Sequence, residues 1–193
     1  MCKMRSEIET MAERALKKLY KKDKYLIAHN AHDLSGGIDE HVSERGIVTR
    51  FAMYLQEQLY SYPALCRYNI DVEYNRNMDK PKYLPCTKWK NNGAYPDLII
   101  HKRGCNGSEN NILIIEFKTH WNRSTEAISD DIDKLQAFQK EPYFYRNAMF
   151  IKLMQHSPEG YWVSEGTTID DLTEASNVFK DFRVSQRGGN CNE

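Results

Sequence analysis

Apolar residues recur along this chain with two periods, and the switches between them mark its elements. Over residues 4–22, Ile8, Met11, Ala12, Ala15, Leu16 and Leu19 return every three or four positions among Glu and Lys. That spacing predicts an amphipathic helix. A second helix is predicted over 43–60, with Ile47, Val48, Phe51, Leu55 and Leu59 on its apolar stripe. Between them, the apolar run 25–28 reads as a short strand or the start of a loop. Period-two alternation follows at 68–76, where Ile70, Val72 and Tyr74 alternate with Asp71, Glu73 and Asn75, a strand with one buried and one polar face. Helical spacing returns over 125–140, with Ile128, Ile132, Leu135 and Phe138 or Gln139 as the inner stripe. Residues 143–154 and 161–163 read as strands joined by a turn at Ser157, Pro158, Glu159 and Gly160. Thr168, Ile169, Asp170 and Asp171 then open a terminal helix within 164–185. The tail 186–193, with two glycines and two asparagines, reads as disordered, which leaves 1–185 as a single domain.

Two short Ile-rich runs, 97–100 and 111–118, flank Gly104, Cys105, Asn106, Gly107 and Ser108. The Gly, Asn and Ser content is a turn signal, so the runs read as an antiparallel hairpin of buried strands. Folding it near position 107 brings Asp97 across from Glu116. Alternation places Glu116 and Lys118 on one face and Leu113, Ile115 and Phe117 on the other. Two carboxylates and an ammonium thus meet at one end of a hydrophobic sheet, where charges need partners or a metal. In the simplest reading Lys118 neutralises Asp97 and Glu116. Glu44 precedes Ile47 and Val48 by three and four residues, so it shares their inward stripe. At a helix N-terminus it also meets the macrodipole favourably.

Pro-Asp at the opening of one strand, then Glu-x-Lys closing the next and a helix after it, resembles the PD-(D/E)XK nuclease superfamily. The likeness runs over about residues 40–155. It implies an α/β protein with a restriction-endonuclease-like core: a mixed central β-sheet flanked by helices, here with an extra N-terminal helix. It further implies a Mg²⁺-dependent (or Mn²⁺-dependent) nuclease acting on DNA, with RNA or catalytically inert binding of nucleic acid or protein as alternatives. Asp97, Glu116 and the backbone carbonyl of Phe117 would be metal ligands, hard oxygen donors that suit such ions. Glu44 would be the helix acid at the metal site, with Glu40, one turn earlier, the competing candidate. Lys118 would hold and polarise the attacking water or stabilise developing charge.

Net charge changes this picture little, because 27 basic and 27 acidic residues cancel. Their distribution is uneven: residues 61–125 carry ten basic and six acidic side chains, and 126–193 carry seven and twelve. The excess positive charge falls around the hairpin, which is compatible with nucleic-acid contact. Arg76, Lys88, Lys90 and Lys134 are candidate phosphate contacts, and Trp89 is interleaved with the two lysines of the loop. No separate DNA-binding domain is visible, so loops, a homodimer or a partner subunit would supply specificity. His29, His32, Asp33, Asp39 and His41 crowd one segment without a metal-site spacing and read as a solvated loop. Five scattered cysteines with no Cys-x-x-Cys argue against a zinc ribbon or a disulfide framework, and for a reducing, cytoplasmic setting. Nothing approaches the roughly 18–20 apolar residues of a membrane span. Residues 1–24 are charged throughout, unlike a secretory signal.

Overall fold

The computed structural model describes residues 2–28, 42–84, 93–122 and 124–184. Five strands form the central sheet: β1 (Asn69–Val72), β4 (Leu98–His101), β5 (Asn111–Thr119), β6 (Asn147–Leu153) and β7 (Pro158–Val163), in the order β1-β4-β5-β6-β7. β5 and β6 are parallel and every other pair is antiparallel. The fold is therefore α/β with a mixed sheet, and helices cover both of its faces. Among the described residues no helix is long and apolar enough to cross a membrane.

Alternation along the strands divides the core in two. Leu98, Ile100, Leu113, Ile115 and Phe117 face α1 (Cys2–Lys22) and α3 (Glu44–Leu59), burying Leu16, Leu19, Ile47, Phe51 and Leu55 between the layers. On the other face, Ile99, Ile114, Ala148 and Phe150 meet Ile132, Leu135 and Phe138 of α4 (Thr125–Phe138). Leu172 of the short α5 (Ile169–Glu174) joins this second layer, and its helix begins with the Thr168–Asp171 capping box. Ser124 opens α4, accepting from the Ala127 N–H at 3.2 Å.

Several elements depart from the pattern reading. Residues 25–28 belong to a helical turn, α2 (Lys24–Ala28), which buries Ile27; four apolar residues are too few for periodicity to separate strand from helix. The strand expected over 68–76 stops at Val72 because Glu73 adopts φ +51. That left-handed residue ends the alternation: Ile70 and Val72 pack on the α3 layer, whereas Tyr74 packs on the α4 layer. A two-stranded ribbon follows, β2 (Arg76–Asn77) with β3 (Lys80–Pro81), turning at Met78, φ +58. The strand expected from 143 begins at Asn147. The turn expected at 157–160 lies earlier, because β7 starts at Pro158; proline is tolerated as the first residue of an edge strand. The tail 186–193, the His-rich segment 29–41 with Glu40, and the loop with Lys88, Trp89 and Lys90 fall outside the described residues.

Candidate active site

The register Leu98↔Ile115 sets Asp97 opposite Glu116, as the hairpin reading required. Asp97 sits just before β4, and its carboxylate continues the ladder: Oδ2 accepts from the Phe117 N–H at 2.8 Å. Its own N–H points to Glu116 Oε1 at 3.4 Å, and its carbonyl accepts from the Glu73 N–H at 3.3 Å. Phe117 pins this stretch from the other face, with its ring edge-on to Phe51 at 5.2 Å, a contact worth about 0.5–1.5 kcal/mol beyond area burial. Glu116 and Lys118 accordingly emerge on the α4 face, Glu116 with no solvent exposure at all.

From the α3 side comes Glu44, in the first turn of a helix whose N-cap Ser43 makes no side-chain cap. Glu44 Oε2 accepts from the N–H and hydroxyl of Thr119 at 3.0 and 3.3 Å, tying α3 to the end of β5. Its other oxygen lies 4.0 Å from Lys118 Nζ. From α4 come Asp131 and Lys134. Lys118 is ion-paired with Asp131, and Lys134 Nζ lies 2.5 Å from Glu116 and 3.6 Å from Asp131. The expectation that Lys118 neutralises Asp97 and Glu116 is therefore corrected. Its partners are Asp131 and Glu44, because α4 supplies a second ammonium that takes Glu116. Lys134, half-buried, pairs with the fully buried Glu116.

Burial governs the electrostatics. Desolvation, reinforced by Asp97, pushes the Glu116 carboxyl well above its usual range despite Lys134. Glu44 and Asp131 are raised as well, each chiefly by burial. Burial works against the charged forms of Lys118 and Lys134, but the surrounding carboxylates outweigh it and both pKa values rise. Glu116 Oε2 and Asp131 Oδ2 are buried and meet their ammoniums as ion pairs without a hydrogen bond of good angle. Four carboxylates (Asp97, Glu116, Glu44 and Asp131) thus face two ammoniums.

Of this cluster, Glu44 and Asp97 line a cleft of about 250 Å³, together with Val48, Val72 and the Arg45–Glu73 pair, whose Nε and Oε1 lie 2.6 Å apart. Glu73 is one of three described non-glycine residues with a left-handed φ, with Met78 and Phe144, and the one of them that lines this cleft. Glu44 and Asp97 bring hard oxygen donors of the kind that suit divalent cations to this cleft. The side chains do not form a ready-made cage: among the described residues no three His, Cys, Asp or Glu side chains are close enough to hold a metal ion.

Of the residues singled out from sequence, Asp97, Glu116, Lys118 and Glu44 converge here, together with the Phe117 carbonyl, which lies 3.3 Å from Lys118 Nζ. Arg76 stands apart, exposed on the β2–β3 ribbon. Asp131 is the residue that pattern reading missed. Its signal was present, since it follows Ile128 by three and precedes Leu135 by four, which puts a carboxylate on an apolar stripe as with Glu44. Compared with known protein families and with curated protein sequences, the chain matches none.

Proposed function

We propose that this protein is a divalent-cation-dependent nuclease that hydrolyses phosphodiester bonds of DNA, built on a restriction-endonuclease-like core of the PD-(D/E)XK type. The observation that carries this reading is the charge imbalance at the end of β5, where four carboxylates meet two ammoniums beside an open cleft. The surplus must be met by protons or by a cation, and hard oxygen donors favour Mg²⁺ or Mn²⁺. Supporting the core assignment is the order α3, β1, β4, β5, α4, β6, with the acidic pair at the facing ends of β4 and β5.

Asp97, Glu116, the Phe117 carbonyl and Glu44 would hold the ion. When bound, it supplies Lewis acidity toward a phosphate oxygen and lowers the pKa of water. Lys118, whose charged form Asp131 and Glu44 favour, would supply a fixed cation for the negative charge that grows on the phosphate. An ammonium with a raised pKa is a poor general base, so Lys118 acts through its charge. Asp131 restrains the Lys118 side chain, and Lys134 restrains Glu116. RNA offers the same phosphate chemistry, and a second copy or another subunit would add specificity.

One observation favours a second reading, an inert binding module. Glu116 and Asp131 already have lysine partners, which is how a sheet end would satisfy its charges without a metal. Incubating wild type and Asp97→Ala with a mixed DNA and RNA panel in Mg²⁺ or Mn²⁺ separates the two. Cleavage by wild type that is lost in Asp97→Ala is the expected result. A wild type that cuts nothing with either ion gives the case to the binding module.

A further inference from the structure

Two tyrosines on the segments that lead to Asp97 are half exposed, Tyr83 at 51 % and Tyr95 at 49 %, while the backbone beneath them is held. The Tyr83 N–H donates to the Tyr143 hydroxyl at 2.7 Å, and that hydroxyl donates back to the Tyr83 carbonyl at 2.7 Å. One residue earlier, the Lys82 N–H donates to Asn75 Oδ1 at 2.8 Å, and the Lys82 carbonyl accepts from the Ala94 N–H at 2.8 Å. That last bond ties the two tyrosine-bearing segments together. The Tyr95 carbonyl accepts from Lys134 Nζ at 3.4 Å, so the lysine that pairs Glu116 also steadies Tyr95. Pro96 follows, buried, and then Asp97. The ribbon leading into Tyr83 exposes Arg76 and Lys80.

A rigid backbone presenting exposed rings has already lost the entropy that binding would otherwise cost. Aromatic faces with cations nearby suit successive bases and their backbone, and every base offers a face to stack. In a duplex those faces are covered by neighbouring pairs. We propose that Tyr95 and Tyr83 form a stacking platform for unpaired bases, so that the strand delivered to Asp97 is single-stranded, with Arg76 and Lys80 on its phosphates. This rests on the nuclease reading above and names its substrate class.

The test is fluorescence anisotropy with a labelled single-stranded oligonucleotide and its blunt duplex, in EDTA, over a series of salt concentrations. Cleavage in Mg²⁺ is measured in parallel. Wild type should prefer the single strand. Tyr95→Ala and Tyr83→Ala should each weaken single-strand binding about 5- to 100-fold with an unchanged salt slope, while Tyr95→Trp binds like wild type. Arg76→Ala should lower the salt slope by about one. Tyrosine-to-alanine variants that bind and cut like wild type, or a wild type that prefers the duplex, overturn the platform and leave the nuclease standing. A wild type that neither binds nor cuts any strand overturns both. The rings are surface groups, so an unchanged melting temperature verifies that each variant folds.

Discussion

Removing the Lys118 ammonium does two separable things in this geometry. It leaves Asp131 without its closest cation, and it takes a positive charge from the site. Stranding one partner of a buried pair costs about 3–5 kcal/mol, whereas replacing both by apolar groups is often neutral. Lys118→Met should therefore be strongly destabilised in urea unfolding, and Lys118→Met with Asp131→Leu should regain most of the loss. In the nuclease reading both proteins cut about 10²–10³-fold more slowly. A double variant with wild-type cleavage would remove Lys118 from the mechanism. Glu44 tests differently, because glutamine keeps an oxygen to accept from Thr119. Glu44→Gln should lose only about 0.3–1 kcal/mol of helix-end stability and still lose cleavage. Full activity there would reduce Glu44 to an N-terminal charge, and loss of activity in Glu40→Gln would then pass the role to Glu40.

At the scale of elements, the β2–β3 ribbon is stapled to the sheet by one buried lysine. Lys82 Nζ donates to the Tyr74 carbonyl at 3.0 Å and the Tyr145 hydroxyl at 3.2 Å, amid the rings of Tyr74, Phe138 and Tyr145. Burial pushes its pKa down to about 7, against the pull of Asp71; the rings favour the charged form and offset part of that. The unfolded chain holds this proton to about 10.4. Between the two values U binds the proton and N does not, so stability rises with pH, by at most about 1.4 kcal/mol per pH unit, and is flat below the window. Urea unfolding at pH 7, 8 and 9 should show that rise in wild type and not in Lys82→Met. An equal slope in both would assign it to other groups. A second element-scale contact joins β7 to the C-terminal segment. A Cβ on Gly160 would stand 2.3 Å from the Phe179 ring. Gly160→Ala should cost about 1–3 kcal/mol as Phe179 is displaced, read as a lower urea midpoint with an unchanged m-value.

Across the molecule, protons or a cation must answer the four carboxylates that face two ammoniums at the end of β5. A divalent ion that binds only the folded state stabilises it by about 2.7 kcal/mol at a hundred times its Kd. Mg²⁺ or Mn²⁺ should therefore raise the melting temperature of wild type and leave that of Asp97→Asn unmoved. Equal shifts in both proteins would place the ion elsewhere.

Elements with a strong period, and the residues carried on them, were legible from spacing alone. The stripes of α1, α3 and α4 and the Ile-rich hairpin follow from which positions can be buried. Once that hairpin folds near 107, Asp97 must face Glu116, and side-chain alternation puts Lys118 beside Glu116. Glu44 was legible because a carboxylate on an apolar stripe has to find a partner. Local features without a period were less legible: the helical turn at 24–28, the left-handed Glu73 that ends β1, and the start of β7 at Pro158 all depend on what packs against them. Which charges pair was set by how the helices dock on the sheet. α4 arrives on the sheet with Asp131 and Lys134, one turn apart, and these take Lys118 and Glu116 respectively. That exchange depends on how a helix docks across strands distant in sequence, a relation that spacing along one chain does not encode.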